Sequence, residues 1–145
     1  MSIRLVVADD HLLVREGVRF TCRQTEDIEV VGEAKTGHET VQRVRELEPD
    51  VLVLDIRLPD MTGLEVLECL AQEELEPAVV VFSAYRDSSY ITRALSYNVS
   101  SYLLKGSSAY DLIATVREAA GGHSIGTSPE TRQIAGVLTH RARRL

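Results

Sequence analysis

The sequence predicts an α/β fold, a five-stranded doubly wound parallel sheet with five helices, and three observations carry that prediction. Short apolar runs alternate with longer segments of helical period, the pattern of βαβ units. The runs are rich in valine and show little in/out alternation, as expected of strands covered on both faces. Start and stop signals separate the two kinds of segment. At 145 residues, 44% hydrophobic and 26% charged, the chain suffices for one core without disulfides.

The first run, IRLVVAD (3–9), passes into a helical pattern over 11–24. IEVVGEA (28–34) precedes a helix at 38–47, announced by Thr36 with Glu39 in a capping pattern. DVLVLD (50–55) leads to a helix at 63–73, for which Thr62 and Glu65 supply the same signal. AVVVFS (78–83) is followed by a helix at 87–97, and SSYLLK (100–105) by one at 108–120 with Ser108 and Asp111 at its start. Pro49 and Pro77 fall just past helix ends, where a residue unable to continue a helix does no harm. With right-handed crossovers these units make an open sheet covered on both sides.

After Ala120 the stretch GGHSIGTSPE reads as a linker. Residues 1–121 are therefore expected to form one domain and 122–145 a linker with one short helix carrying Ile134, Val137 and Leu138. No apolar run approaches the roughly 18 residues of a membrane span, and no signal peptide is legible, so a cytoplasmic location is expected. Cys22 and Cys69 sit inside helical apolar patterns and read as reduced core fillers. Net charge is −6, but Arg141, Arg143 and Arg144 crowd the last five positions and residues 1–138 carry −9, a poor direct ligand for DNA.

In an open parallel sheet ligands bind beyond the carboxyl ends of the strands. There the sequence places Asp9 and Asp10 after the first strand, Asp55 after the third, Ser83 at the end of the fourth and Lys105 at the end of the fifth. Each alone has an ordinary structural role, such as a helix cap or a surface lysine. Three clustered carboxylates, however, raise one another's pKa unless a divalent cation offsets them. An oxygen-lined site that also takes a phosphate suits Mg²⁺, and with Mg²⁺ and Lys105 the local charge is near zero. Asp55 is then the nucleophile placed to accept a phosphoryl group.

Three other phosphate-handling patterns fail on the letters. GEAKTGHE (32–39) has P-loop spacing, but His38 stands where the lysine belongs. A haloacid-dehalogenase phosphatase resembles D-x-D, whereas Arg57 stands where the second carboxylate would be and does no acid/base work. DDHLLVREG offers no hydroxyl-rich loop of the flavodoxin kind.

The pattern VVADDHLLVREGV, VLVLDIRLPDMTGLEVL, VVVFSAY and SYLLKG resembles the receiver domain of two-component response regulators over nearly all of residues 1–121. In detail it is similar to the subfamily preceding a LuxR-type helix-turn-helix. The resemblance implies strand order 2-1-3-4-5 and phosphorylation of Asp55 by a sensor histidine kinase. It implies Mg²⁺ held by Asp10, Asp55 and the backbone carbonyl of Arg57, with Asp9 acting through water. Lys105, Ser83 and the backbone of Ala84 would hold the phosphoryl group, and Ser83 and Tyr102 would form the switch, Tyr102 turning in from solvent. The domain would catalyse only its own phosphorylation and dephosphorylation. Phosphorylation is expected to change homodimerisation, with DNA contacted through a C-terminal domain beyond this chain, which reads as truncated. The alternative is a stand-alone receiver acting as a protein-interaction module, or an atypical receiver never phosphorylated. The intact acidic set argues against the atypical form. Departures are Asn98, Val99, Ser100 and Ser101 where small residues usually precede the switch aromatic, and Gly106 where many receivers have a cis proline. Arg57 and Tyr85 flank the site and would tune hydrolysis by gating water.

Overall fold

A computed structural model describes residues 2–84, 88–94, 96–97 and 99–122. The elements run β1 (Ile3–Ala8), α1 (Leu12–Arg23), β2 (Ile28–Ala34), α2 (Gly37–Leu47) and β3 (Val51–Leu54). They continue with α3 (Gly63–Gln72), β4 (Ala78–Ser83), α4 (Ser88–Ala94), β5 (Val99–Leu104) and α5 (Ala109–Ala120). All five strands are parallel in the order 2-1-3-4-5, as the resemblance implies. The expected linker and short helix beyond Gly122, and Tyr85, lie outside the described residues.

The two-faced burial follows from the strand sequences. Side chains alternate across a strand, so an unbroken apolar run feeds two cores at once. Val6, Leu52, Leu54, Val79 and Val81 pack under α2, α3 and α4 with Val44, Val66, Leu67 and Ala94. Leu5, Val7, Val51, Val53 and Val80 pack under α1 and α5 with Val18, Cys22, Leu112 and Val116. Helices α1, α2, α3 and α5 are amphipathic and bury one stripe each, which is where most of their stability arises.

Capping matches the sequence signals. Thr36, Thr62 and Ser108 each accept from the backbone N–H three residues on, and at α3 the box with Glu65 is complete. A cap invisible in the sequence also appears: Asp60, in the β3–α3 loop, accepts from the N–H groups of Gly37 at 2.7 Å and His38 at 3.0 Å. It thereby ties that loop to the start of α2. Desolvation pushes the Asp60 carboxyl up, but these backbone donations outweigh it and hold the pKa below the ordinary carboxylate value. This stabilisation is full above the unfolded pKa of about 3.9 and is lost as pH falls through the depressed folded value. Asp60→Ala is expected to cost about 1 kcal/mol in urea unfolding at pH 7, with the difference from the parent shrinking in acid. A constant difference down to the acid limit would contradict the ionised cap.

Both cysteines are free, as expected. Cys22 is 1% exposed, and burial pushes its thiol up to about 11. A maleimide at neutral pH is expected to modify Cys69 first and Cys22 only when denaturant opens the α1 core; the reverse order would contradict this packing.

Candidate functional site

Register brings the acidic residues together. Ala8 pairs with Leu54 across β1 and β3, so Asp9 and Asp55 stand side by side one residue past the last matched pair. The main chain continues the ladder there: Asp9 N–H donates to the Ala34 carbonyl at 3.0 Å, Asp55 N–H to that of Ala8 at 2.9 Å and Lys105 N–H to that of Ser83 at 2.8 Å. The functional edge is thus hydrogen-bonded rather than frayed. The strands are regular only to Ala8, Leu54 and Leu104, one residue short of the sequence reading at each place.

The carboxylates are buried, Asp9 at 1% and Asp55 at 4% exposure, whereas Asp10 is exposed. Lys105 bridges the buried pair, with Nζ 2.6 Å from Asp9 Oδ2 and 3.2 Å from Asp55 Oδ2. The second contact is a hydrogen bond. The first is a close ion contact, but Asp9 Oδ2 accepts no well-directed hydrogen bond and remains buried with unused acceptor capacity.

Burial pushes Asp55 above the ordinary carboxylate range, and the Asp9 charge adds to this, while Lys105 and the Arg57 N–H oppose it without prevailing. Burial alone would lower Lys105, but Asp9 and Asp55 outweigh it and raise its pKa, so the ammonium stays protonated. Lys105 therefore offsets only part of the negative charge.

The surrounding backbone fixes the carboxylates. Arg57 N–H donates to Asp55 Oδ1 at 3.2 Å, and Arg57 bridges to Thr62. A Cβ at Gly63 would stand 2.8 Å from the Asp55 carbonyl oxygen, so glycine permits the start of α3 to pack on the site's main chain.

Three contributors were not legible in the sequence. His11 N–H donates to Asp9 Oδ1 at 2.9 Å, and its ring Nδ1 lies 3.0 Å from Asp9 Oδ1 and 3.1 Å from Asp10 Oδ1. Arg15, 6% exposed, donates through Nη1 to the Asp9 carbonyl at 2.8 Å and through Nε to Glu33 at 3.1 Å. Glu33 is also held by Arg19. The only advance hint was that His11 and Arg15 lie four apart, on one side of the first helix.

Asp9, Asp10, His11 and Asp55 bring ligand atoms within 4.8 Å of one another. A cluster of hard carboxylate donors whose charge a single lysine only partly offsets fits a divalent cation such as Mg²⁺. Ser83 is fully buried at the same edge, and Ala84 follows it, exposed. Tyr102 departs from the expected starting position in solvent: it is 2% exposed, within the cluster that includes Val79, Val81 and Ala94. Tyr102 pairs with Val81, on the face covered by α4, where burying the aromatic ring is favourable. The peptide bonds of the described residues are all trans, including that after Lys105.

A doubly wound 2-1-3-4-5 sheet with paired carboxylates and a lysine at its carboxyl edge defines an α/β module whose acidic site suits a divalent cation. The chain belongs to the response regulator receiver domain family, which it matches over residues 5–117. It is 34% identical to the nitrate/nitrite response regulator NarL of Escherichia coli K12 over 134 residues, covering 92% of this chain and 62% of NarL. It is 33% identical to the transcriptional regulatory protein YhcZ of Bacillus subtilis over 138 residues, covering 95% of this chain and 63% of YhcZ. A LuxR-family two-component response regulator from Aurantimonas matches with a TM-score of 0.86 at 26% identity, covering 96% of this chain and 99% of that one. The chain spans about three-fifths of the length of the curated relatives it matches. Among the described residues no helix is long and apolar enough to cross a membrane.

Proposed function

We propose that this chain is the phosphoacceptor part of a cytoplasmic two-component transcription regulator, accepting a phosphoryl group on Asp55 from a sensor histidine kinase. The observation that carries this reading is the buried Asp55 carboxylate beside Asp9, with a protonated Lys105 3.2 Å away. Residues 1–121 form the receiver and 122–145 the connection toward a DNA-binding output domain. The greater length of NarL and YhcZ supports such an output over a stand-alone interaction module.

Asp10, Asp55 and the carbonyl of Arg57 would hold Mg²⁺, with Asp9 acting through water. Bound there, Mg²⁺ supplies positive charge against the transferring oxygens. Asp55 Oδ attacks the phosphorus of a phosphohistidine in line; the O–P bond forms, the P–N bond breaks and the histidine nitrogen keeps the electron pair. Lys105 turns its ammonium to the phosphoryl oxygens, and the Ala84 N–H and Ser83 hydroxyl bind them. Catalysis is positioning and charge compensation, limited to the domain's own phosphorylation and dephosphorylation. Arg57 and Tyr85 would tune hydrolysis by gating water.

The switch follows from Ser83 and Tyr102. A phosphoryl group that draws Ser83 toward Asp55 favours the inward ring described above, biasing a two-state element. The output is a change in homodimerisation. Leu12, Leu13 and Phe20 of α1 and Tyr110 of α5 are the exposed large apolar residues among those described, and they offer a surface to a second copy. Labelled phosphate is expected to pass from a phosphorylated kinase to this chain only with Mg²⁺, and sedimentation with a beryllofluoride mimic to show a changed mass. Transfer in excess EDTA would sink the site reading, and identical mass in both states the dimerisation reading.

A further inference from the structure

We propose that the acidic-rimmed apolar groove between α3 and Tyr97 is a docking site for residues 134–144 of this same chain, an apolar and basic segment outside the described residues. The groove has a volume of about 270 Å³ and a floor of Leu67, Leu70, Leu75 and Val79, with Tyr97 as its far wall. Glu74 and Glu76, both exposed, stand on its rim. Neither carboxylate has an ion-pair partner among the described residues, whereas neighbouring Glu73 is held by Arg45 through two hydrogen bonds of 2.8 and 2.9 Å. Two unpaired carboxylates over an apolar floor suit a ligand that is apolar on one side and cationic at one end.

The end of the chain has that composition. Ile134, Val137 and Leu138 fall at i, i+3 and i+4, one side of a helical turn, and Arg141, Arg143 and Arg144 follow them. No acidic residue stands after Glu130, so nothing within the segment competes for those arginines.

The fold brings groove and segment to one edge of the sheet. Helix α3 starts at Gly63, against the Asp55 carbonyl, and runs away from it to Gln72, so Glu74 and Glu76 lie at the amino edge, just ahead of β4. Helix α5 ends at the same edge: Arg117 in its last turn pairs with Asp27, just ahead of β2, at 2.8 Å. From there residues 123–133 reach about 36 Å when extended, more than the ~30 Å breadth of a small domain. Tethering gives the segment an effective concentration at the groove of about millimolar, an advantage that a separate partner lacks. The site is remote from Asp55 and does not depend on the phosphoacceptor reading. It would fasten the connection beyond α5 to the α3 side of the domain.

The test is paramagnetic broadening of amide resonances in the full chain, with a nitroxide on Thr139→Cys, Cys69→Ala removing the accessible thiol and buried Cys22 left in place. Amide signals of Leu70, Leu75 and Tyr97 are expected to be lost, and those of Leu13 and Phe20 on α1 retained. Equal broadening of both sets, or broadening confined to the end of α5, would overturn the proposal. Isotope-labelled chain mixed with unlabelled, nitroxide-bearing chain is expected to keep the groove signals; their loss would mean that a second copy fills the groove and would overturn the assignment to the chain's own end. Leu138→Asp, and separately Glu74→Lys with Glu76→Lys, are expected to bring the lost signals back. Adding Arg141→Glu, Arg143→Glu and Arg144→Glu to the lysine pair should remove them again, because the swap recreates the opposite charges. Signals that stay lost in both Leu138→Asp and the lysine pair, or that fail to disappear again in the swapped chain, would overturn the apolar and charged complementarity on which the docking rests.

Discussion

Asp55→Asn is expected to abolish phosphoryl uptake while leaving the metal-free domain at least as stable as the parent at neutral pH. The loss of chemistry is complete in principle, because an amide does not replace the carboxylate as nucleophile. The stability effect has the opposite sign to most core substitutions. Burial and the Asp9 charge hold the Asp55 pKa above its unfolded value. Ionised Asp55 therefore destabilises the fold, an effect absent below the unfolded pKa of about 3.9 and growing as pH rises through the folded pKa. Chemical unfolding in EDTA should show the variant level with the parent in acid and above it at neutral pH. Adding Mg²⁺ should close the gap, since a ligand at 100 times its Kd stabilises by about 2.7 kcal/mol and the parent binds it better. A parent more stable than the variant in EDTA at pH 7 would mean that Lys105 compensates Asp55 fully.

Lys105→Met should be damaging in both respects. The ammonium bridges Asp9 at 2.6 Å and Asp55 at 3.2 Å, and its removal leaves two buried carboxylates facing each other. Breaking such a pair costs about 3–5 kcal/mol when the partners are fully dry. Lys105 retains 18% side-chain exposure, so water and protonation soften the loss to about 2 kcal/mol. Phosphoryl transfer should slow by about 10²-fold or more, the usual effect of deleting one preorganised charge at a transition state. Stopped-flow transfer at saturating Mg²⁺ reads this directly, and a rate within twofold of the parent would exclude Lys105 from the charge clamp.

The fold was almost fully legible because it depends on pattern. Uninterrupted apolar runs such as VLVL at 51–54 require cover on both faces, and the threonine and serine caps mark the starts of α2, α3 and α5. The acidic edge was legible because the ends of parallel strands share one side of a sheet, which brings Asp9, Asp55 and Lys105 together whatever lies between them. Less visible were the contacts set by side-chain direction. Nothing in the letters tells that Asp60 caps α2, that Arg15 reaches back to the Asp9 carbonyl, or that the ring of His11 turns toward the carboxylates. Tyr102 shows another limit: the sequence gives its place on β5 but not which of two positions the ring occupies, a choice settled by packing over β4.

The most direct measurement is peptide mapping of the acyl phosphate after borohydride trapping of chain labelled by a phosphorylated histidine kinase. Trapped label is expected on Asp55 alone, in Mg²⁺ and not in EDTA, with none in Asp55→Asn. Label on Asp9, Asp10 or Asp60, or undiminished labelling of the variant, would contradict Asp55 as the phosphoacceptor.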